Sequence, residues 1–250
     1  MDERCKILDE YLSIKGTNIH QLRLRVDEEI SGNENTIYVY SSLFEGLGTP
    51  DSDLDIYVVG KSGDSSYVKT IILENNYKLD VEYWPQKIIS DYYVNYSQEL
   101  NIPKDFFELK VLLRIINSIE ITKNNSTSIG SYLDIYGIYN SILELFSKSA
   151  RSHYEDAMTL YKYGEELSSV DELRRSAWSC AGALNAKSGN INLKEKWISK
   201  LFIENYQNKY LVNRYSNLMF YSSLSISNES DVYLDEMIEL VNDMLIEISN

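Results

Sequence analysis

Only two cysteines, Cys5 and Cys180, and two histidines, His20 and His153, occur in 250 residues. Two isolated thiols form at most one bridge and match no zinc spacing, so a disulfide framework and a structural zinc site are both excluded as organising principles. Neither histidine has a second histidine or cysteine at ligand spacing, which leaves no support for a nucleophilic triad. Prolines number three, and no apolar run approaches the roughly 18 residues of a membrane span. The amino terminus, MDERCKILDEYL, is too charged for a signal peptide, so the expected location is cytoplasmic and no membrane partner is expected. Positive charge is also scarce: 24 basic against 38 acidic side chains give a net charge of -14. A general nucleic-acid binder would need a basic face for phosphates, and none is legible here.

What is present centres on Ile37 to Val59, IYVYSSLFEGLGTPDSDLDIYVV. An alternating apolar run leads into Ser41-Ser42, then a connection bearing Gly46 and Gly48, then a second apolar run holding Asp53 and Asp55. Residues two apart on a strand share a face about 6.6 Å apart. Asp53 and Asp55 are therefore expected to aim two carboxylates at one point, with Leu54 and Ile56 on the buried side. Alone, Asp-x-Asp is a common solvated strand end. Its flanks add what a phosphate needs, namely backbone N–H groups that permit close approach and hydroxyl donors. Further on, YKLDVEYW (77–84) alternates Asp80 and Glu82 with Leu79, Val81 and Tyr83. A second acid pair on a neighbouring strand favours a metal site over a solvated face in which Glu82 pairs with Lys78.

Around this centre, residues 3–14 place Ile7, Leu8, Tyr11 and Leu12 on one helical stripe, and a second helix is expected over 18–30. Strands are expected at 54–59, 67–73 and 77–84, with stops at Ser31-Gly32-Asn33, Glu74-Asn75-Asn76 and Pro85. Beyond Pro85 the pattern is helical, with helices expected over 86–98, 104–118, 128–148, 151–167, 170–188, 193–207, 211–223 and 231–248. Pro103, Asn124-Asn125, Gly189-Asn190 and 225–230 separate them, and Asp171 and Asn192 stand where N-caps are expected. The chain thus reads as an α+β protein, a sheet domain with flanking helices over 1–120 and an all-α bundle over 121–250.

The stretch 36–84 resembles the signature of the polymerase-β-like nucleotidyltransferase superfamily. Ser41-Ser42 stands at that family's Gly-Ser, Gly46 at the following glycine, Ser52-Asp53-Leu54-Asp55 at the acid pair and Asp80 at the third acid, with Glu82 its competitor. ALNAKSGNINLKEKW (183–197) resembles a segment in the helical domains of small-molecule, antibiotic-type nucleotidyltransferases. The resemblance implies Asp53, Asp55, Asp80 and Glu82 as catalytic residues, with Asp53, Asp55 and Asp80 holding two Mg2+ ions. It implies Ser41, Ser42, Gly46, Ser52 and Lys196 as nucleotide contacts, with ATP or another nucleoside triphosphate as donor. Three converging carboxylates cannot all stay ionised without a cation, and hard oxygen ligands suit magnesium. The expected activity is transfer of a nucleoside monophosphate, AMP from ATP, to a hydroxyl of a small acceptor, with pyrophosphate leaving. A cationic acceptor would suit the acidic surface, and relatives imply a homodimer. Two alternatives stay open: a protein-modifying, antitoxin-type nucleotidyltransferase, and an inactive binding module. Ser41 in place of glycine and the acid at Glu45 depart from the family pattern and keep the last open, whereas Asp53, Asp55 and Asp80 speak against it.

Overall fold

The computed structural model describes residues 3–30, 35–61, 63–73, 76–97, 105–121, 135–221 and 230–250. The expected stops at 31–33, 74–75, 103, 124–125 and 225–229 lie outside them. The chain divides into two compact units, Met1–Ile135 and Tyr136–Asn250, each taken by itself below.

In the first unit, α1 (Glu3–Ile14) and α2 (Ile19–Glu29) precede β1 (Thr36–Tyr40), a 3-10 turn (Ser42–Glu45), β2 (Asp55–Gly60), β3 (Tyr67–Ile72) and β4 (Lys78–Pro85). Then come α3 (Gln86–Ser97), α4 (Phe106–Ile116) and the short β5 (Ile119–Glu120). The sheet runs β3-β4-β2-β1-β5. β2 and β4 are parallel, and the other pairs are antiparallel. α2 starts where the Asn18 side chain accepts from the Gln21 amide, a side-chain cap that takes up one orphan N–H.

Alternation sorts the sheet into two faces. Ile37, Val39, Ile56, Val58, Leu79 and Val81 pack with Leu8 and Leu12 of α1 and Leu22 and Val26 of α2 in one cluster. The opposite face carries Tyr38, Tyr40, Tyr57 and Trp84, all buried, with α4 lying against β1 and α3 against β4. Both faces are covered, which is why β1 is buried at every position. The acids belong to the tyrosine-bearing face.

The second unit is all helical in its described residues: α5 (Ile135–Lys162), α6 (Glu166–Lys187), α7 (Glu195–Asn205), α8 (Lys209–Ser216) continuing into a π turn (Asn217–Tyr221), and α9 (Ser230–Ser249). Gly164, in the left-handed region at φ 77°, closes α5 against α6. The two are antiparallel, joined by buried serines: Ser169 Oγ donates to Ala157 O and Ser176 Oγ to Ala150 O, while Ser149 and Ser179 share a hydrogen bond. Gly182 faces Phe146 at the same interface. Cys180 is buried in α6, where desolvation pushes its thiol up to about 12.

Three expectations are corrected here. The separate helices over 128–148 and 151–167 are one helix from Ile135 onward: residues 149–150 hold no breaker, and Ser147 satisfies its hydroxyl on Leu143 O. Asp171 is no N-cap, because α6 begins a turn earlier at Glu166. Asn192 accepts from the Lys194 amide, but α7 begins after Lys194, so Asn192 shapes the approach to the helix and does not cap it.

Candidate active site

All four acids singled out from the sequence line one cleft of about 400 Å³: Asp53, Asp55, Asp80 and Glu82, together with Leu54, Val68, Tyr77, Lys78 and Leu79. The parallel pairing of β2 with β4 produces this. Ile56 sits beside Val81 and Tyr57 beside Glu82, so Asp55 at the start of β2 and the Asp80/Glu82 pair of β4 share the face opposite the aliphatic core. Asp53 precedes β2 rather than lying within it, since the strand opens at Asp55.

The loop carrying Asp53 is fixed from both sides. Ser41 is fully buried, and its hydroxyl donates to the Asp53 carbonyl at 3.1 Å while accepting from the Leu43 amide. From α1, the Tyr11 hydroxyl donates to the Ser52 carbonyl at 2.8 Å and meets the Tyr77 hydroxyl at 2.7 Å. Ser52 Oγ accepts from the Thr49 amide. Gly48 packs so closely that a Cβ would stand 2.8 Å from both Leu43 N and Ser52 Oγ. Gly46 ends the 3-10 turn in the left-handed region, φ 70°, where a side chain is strained. The Ser42 side chain is buried, and its carbonyl accepts from the Leu47 and Gly48 amides. Glu45 accepts from Asn117 Nδ2 at 2.9 Å and from the Tyr40 hydroxyl at 3.4 Å, so its charge is taken up within the unit.

The carboxylates differ in surroundings. Asp53 is exposed, and Asp80 is exposed with Oδ1 accepting from the Thr70 hydroxyl at 2.7 Å. Asp55 is partly buried, 3.5 Å from Arg114 Nη1. Glu82 accepts from Trp84 Nε1 at 3.2 Å, not from Lys78. Burial raises the Glu82 pKa above the ordinary glutamate value, reinforced by Asp55 and opposed by Trp84, Arg114 and Lys110. Folding therefore takes up a proton at Glu82 between its unfolded and folded pKa values. The associated stability is fully present below the unfolded value and is lost as pH rises through the folded one. Glu82→Gln, which mimics the protonated form, is expected to leave the melting temperature unchanged near pH 4 and to raise it slightly at about pH 8. Thermal melts at the two pH values check this, and a lower melting temperature at the higher pH contradicts it.

Arg114 is the residue that sequence reading missed. It stands in an apolar helix, FFELKVLLRII, and its guanidinium is turned into the tyrosine-bearing face: Nη1 donates to the Tyr57 hydroxyl at 2.7 Å, and the group lies 5.5 Å from the Tyr40 ring centroid. A lone arginine in such a run was itself the signal, because a buried charge needs a partner in the core.

Oxygen is the only donor that Asp53, Asp55 and Asp80 offer, which is the ligand chemistry of a hard divalent cation. Their ligand atoms do not all lie within 4.8 Å of one another; among the described residues that holds for His153, Asp156 and Glu172 of the second unit. Within that trio His153 Nδ1 lies 2.6 Å from the Glu172 carboxylate, which also has Arg175 at 3.6 Å. Asp53 and Asp80 are short, exposed side chains with two torsions each, so both are free to turn toward a cation in the cleft they line. Lys196 belongs to the second unit, exposed on α7 with its ammonium 4.8 Å from the Trp197 ring centroid.

No protein-family model matches this sequence, and no curated protein matches it. Among solved structures, the chain is similar to a nucleotidyltransferase-like protein from Exiguobacterium sibiricum, with a TM-score of 0.56 over 92% of this chain and 74% of that one. The fold is therefore nucleotidyltransferase-like, α+β with a mixed sheet followed by helices. At 11% identity the likeness is one of fold. Among the described residues, no helix is long and apolar enough to cross a membrane.

Proposed function

We propose that this chain is a magnesium-dependent nucleotidyltransferase that moves AMP from ATP to a hydroxyl of a small, cationic acceptor. The observation that carries the reading is the convergence of Asp53, Asp55, Asp80 and Glu82 on one cleft within this fold. Asp53 and Asp55 hold the cations, and Asp80 completes the set from β4. Bound there, a divalent cation supplies Lewis-acid stabilisation of charge on the phosphates and lowers the pKa of the acceptor hydroxyl. The acceptor oxygen forms a bond to the α-phosphorus as the bond to the bridging α–β oxygen breaks, and pyrophosphate leaves. Glu82, whose raised pKa suits a base working nearer neutrality, accepts the hydroxyl proton. The backbone of the turn from Ser42 to Gly46 receives the terminal phosphates, and Ser41 acts through the Asp53 carbonyl it holds.

A second reading, a nucleotide-binding module without turnover, is favoured by the Asp55–Arg114 ion pair and by the full burial of the Ser41 hydroxyl. One experiment addresses both. Titration with non-hydrolysable analogues of each nucleoside triphosphate is expected to show binding that requires magnesium and is strongest for the ATP analogue. Binding of no nucleotide overturns both readings. Binding without pyrophosphate release from ATP across a panel of hydroxyl acceptors, aminoglycosides included, favours the module.

A further inference from the structure

Three contacts hold the Arg114 guanidinium, and they are unequal. The Tyr57 hydroxyl accepts at 2.7 Å and the Tyr40 ring lies alongside, whereas Asp55 stands 3.5 Å away, longer than the 2.7–2.9 Å of a tight charge-assisted hydrogen bond. α4 anchors the arginine further, since Leu109, Val111, Leu112, Leu113 and Ile115 of the same helix are all buried. The side chain of Arg114 is 11% exposed and that of Asp55 is 23% exposed, so water screens this charge pair only weakly. The arginine is thus fixed and the aspartate is its loosest partner. When Asp55 turns, the guanidinium keeps the two tyrosines, and Glu82 lies beside Tyr57 in the β2–β4 register as a further carboxylate neighbour.

We propose that Arg114 is a built-in competitor for the charge of Asp55: a divalent cation at Asp53, Asp55 and Asp80 must draw Asp55 from the guanidinium, so Arg114 sets the cation concentration the site requires. The inference rests on the cation-binding reading of the cleft and adds a regulator to it. A fixed positive charge that stays within a few ångströms of the cation also weakens binding directly. The arrangement keeps an acid-lined cleft from holding its cation so tightly that a magnesium–nucleotide complex cannot exchange.

The test is Mn2+ titration of the full chain, followed by the loss of the free-ion electron paramagnetic resonance signal, so that no acceptor or turnover is needed. Arg114→Gln is expected to tighten Mn2+ binding about tenfold, and Arg114→Lys to return it toward the wild-type value. Tyr57→Phe, which removes the hydroxyl that shares Nη1 of Arg114 with Asp55 and so leaves that nitrogen to the aspartate, is expected to weaken Mn2+ binding a few-fold. A residue with a merely structural role would loosen the site in both variants, so opposite directions are the signature. An Arg114→Gln protein that melts cooperatively and binds Mn2+ no more tightly than wild type overturns the proposal. Should that variant fail to fold, unchanged or tighter binding in Tyr57→Phe overturns it. Asp53→Asn separates the two levels. If it binds Mn2+ as wild type does, the cation reading falls and this inference with it; if it loses Mn2+ while Arg114→Gln changes nothing, only this inference falls.

Discussion

Asp53→Asn is expected to cut magnesium-dependent affinity for a non-hydrolysable ATP analogue by at least about a hundredfold while leaving the protein folded. The side chain is exposed, and the contact that fixes the loop is made by the Asp53 backbone carbonyl, which accepts from Ser41. Asparagine keeps that carbonyl and the shape, and removes one anionic oxygen donor. Stability should therefore stay within about 0.5 kcal/mol, as for surface substitutions generally. Asp55→Asn is the informative contrast. It takes a charge from beside a guanidinium that is 11% exposed, so it should lose both stability and nucleotide affinity. Calorimetric titration together with thermal melts checks the pair. Full affinity in Asp53→Asn would remove the carboxylate cleft from consideration as the nucleotide site.

Gly182→Val is expected to destabilise the helical unit by about 2–3 kcal/mol. A Cβ at Gly182 would stand 2.7, 2.8 and 2.9 Å from Cδ1, Cε1 and Cγ of Phe146, atoms of the ring body rather than the tip of a flexible chain. Phe146 cannot retreat easily: it is 3% exposed and packs edge-on against Trp178, with ring centroids 5.7 Å apart. Alanine is the finer probe. A glycine inside a helix costs about 1 kcal/mol relative to alanine, so Gly182→Ala sets a propensity gain against the contact, and the contact distances make the net a loss. Urea denaturation followed by tryptophan fluorescence measures both variants. A stabilised Gly182→Ala would show that the α5–α6 interface yields locally.

The parts of this fold that were legible in the sequence are those where local pattern and burial agree. β3 and β4 fall at 67–72 and 78–85, and the acid alternation in KLDVEY matches the observed faces, because strand periodicity survives any tertiary arrangement. The second helix, expected over 18–30 and found at Ile19–Glu29, was legible for the same local reason. What was not legible depends on partners distant in sequence. β5 has two residues and exists only through pairing with Tyr38 and Val39. The continuity of α5 goes with contacts from α6, where the Ser176 hydroxyl donates to the Ala150 carbonyl and Ser179 meets Ser149, and nothing local announces those partners. At the cleft, the residue types were readable, but the ties on Asp53 and Asp55 were not. Ser41 and Arg114 reach Asp53 and Asp55, and Tyr11 the neighbouring Ser52 carbonyl, from positions far along the chain, and Arg114 in particular reads locally as an interruption of an apolar stripe.

The buried thiol of α6 gives the helical unit a chemical clock. Thiolate is the form that reacts with alkylating reagents, and a cysteine that is wholly enclosed, with its ionisation pushed up to about 12, offers almost none at neutral pH. Modification of Cys180 then waits on openings of the helices around it, so its labelling rate reports how often the unit breathes. Cys5, partly accessible on α1, belongs to the other unit and supplies a separate reading in the same reaction. Two thiols, one in each unit, let a single mass-spectrometric time course follow the two halves independently, with no engineered label.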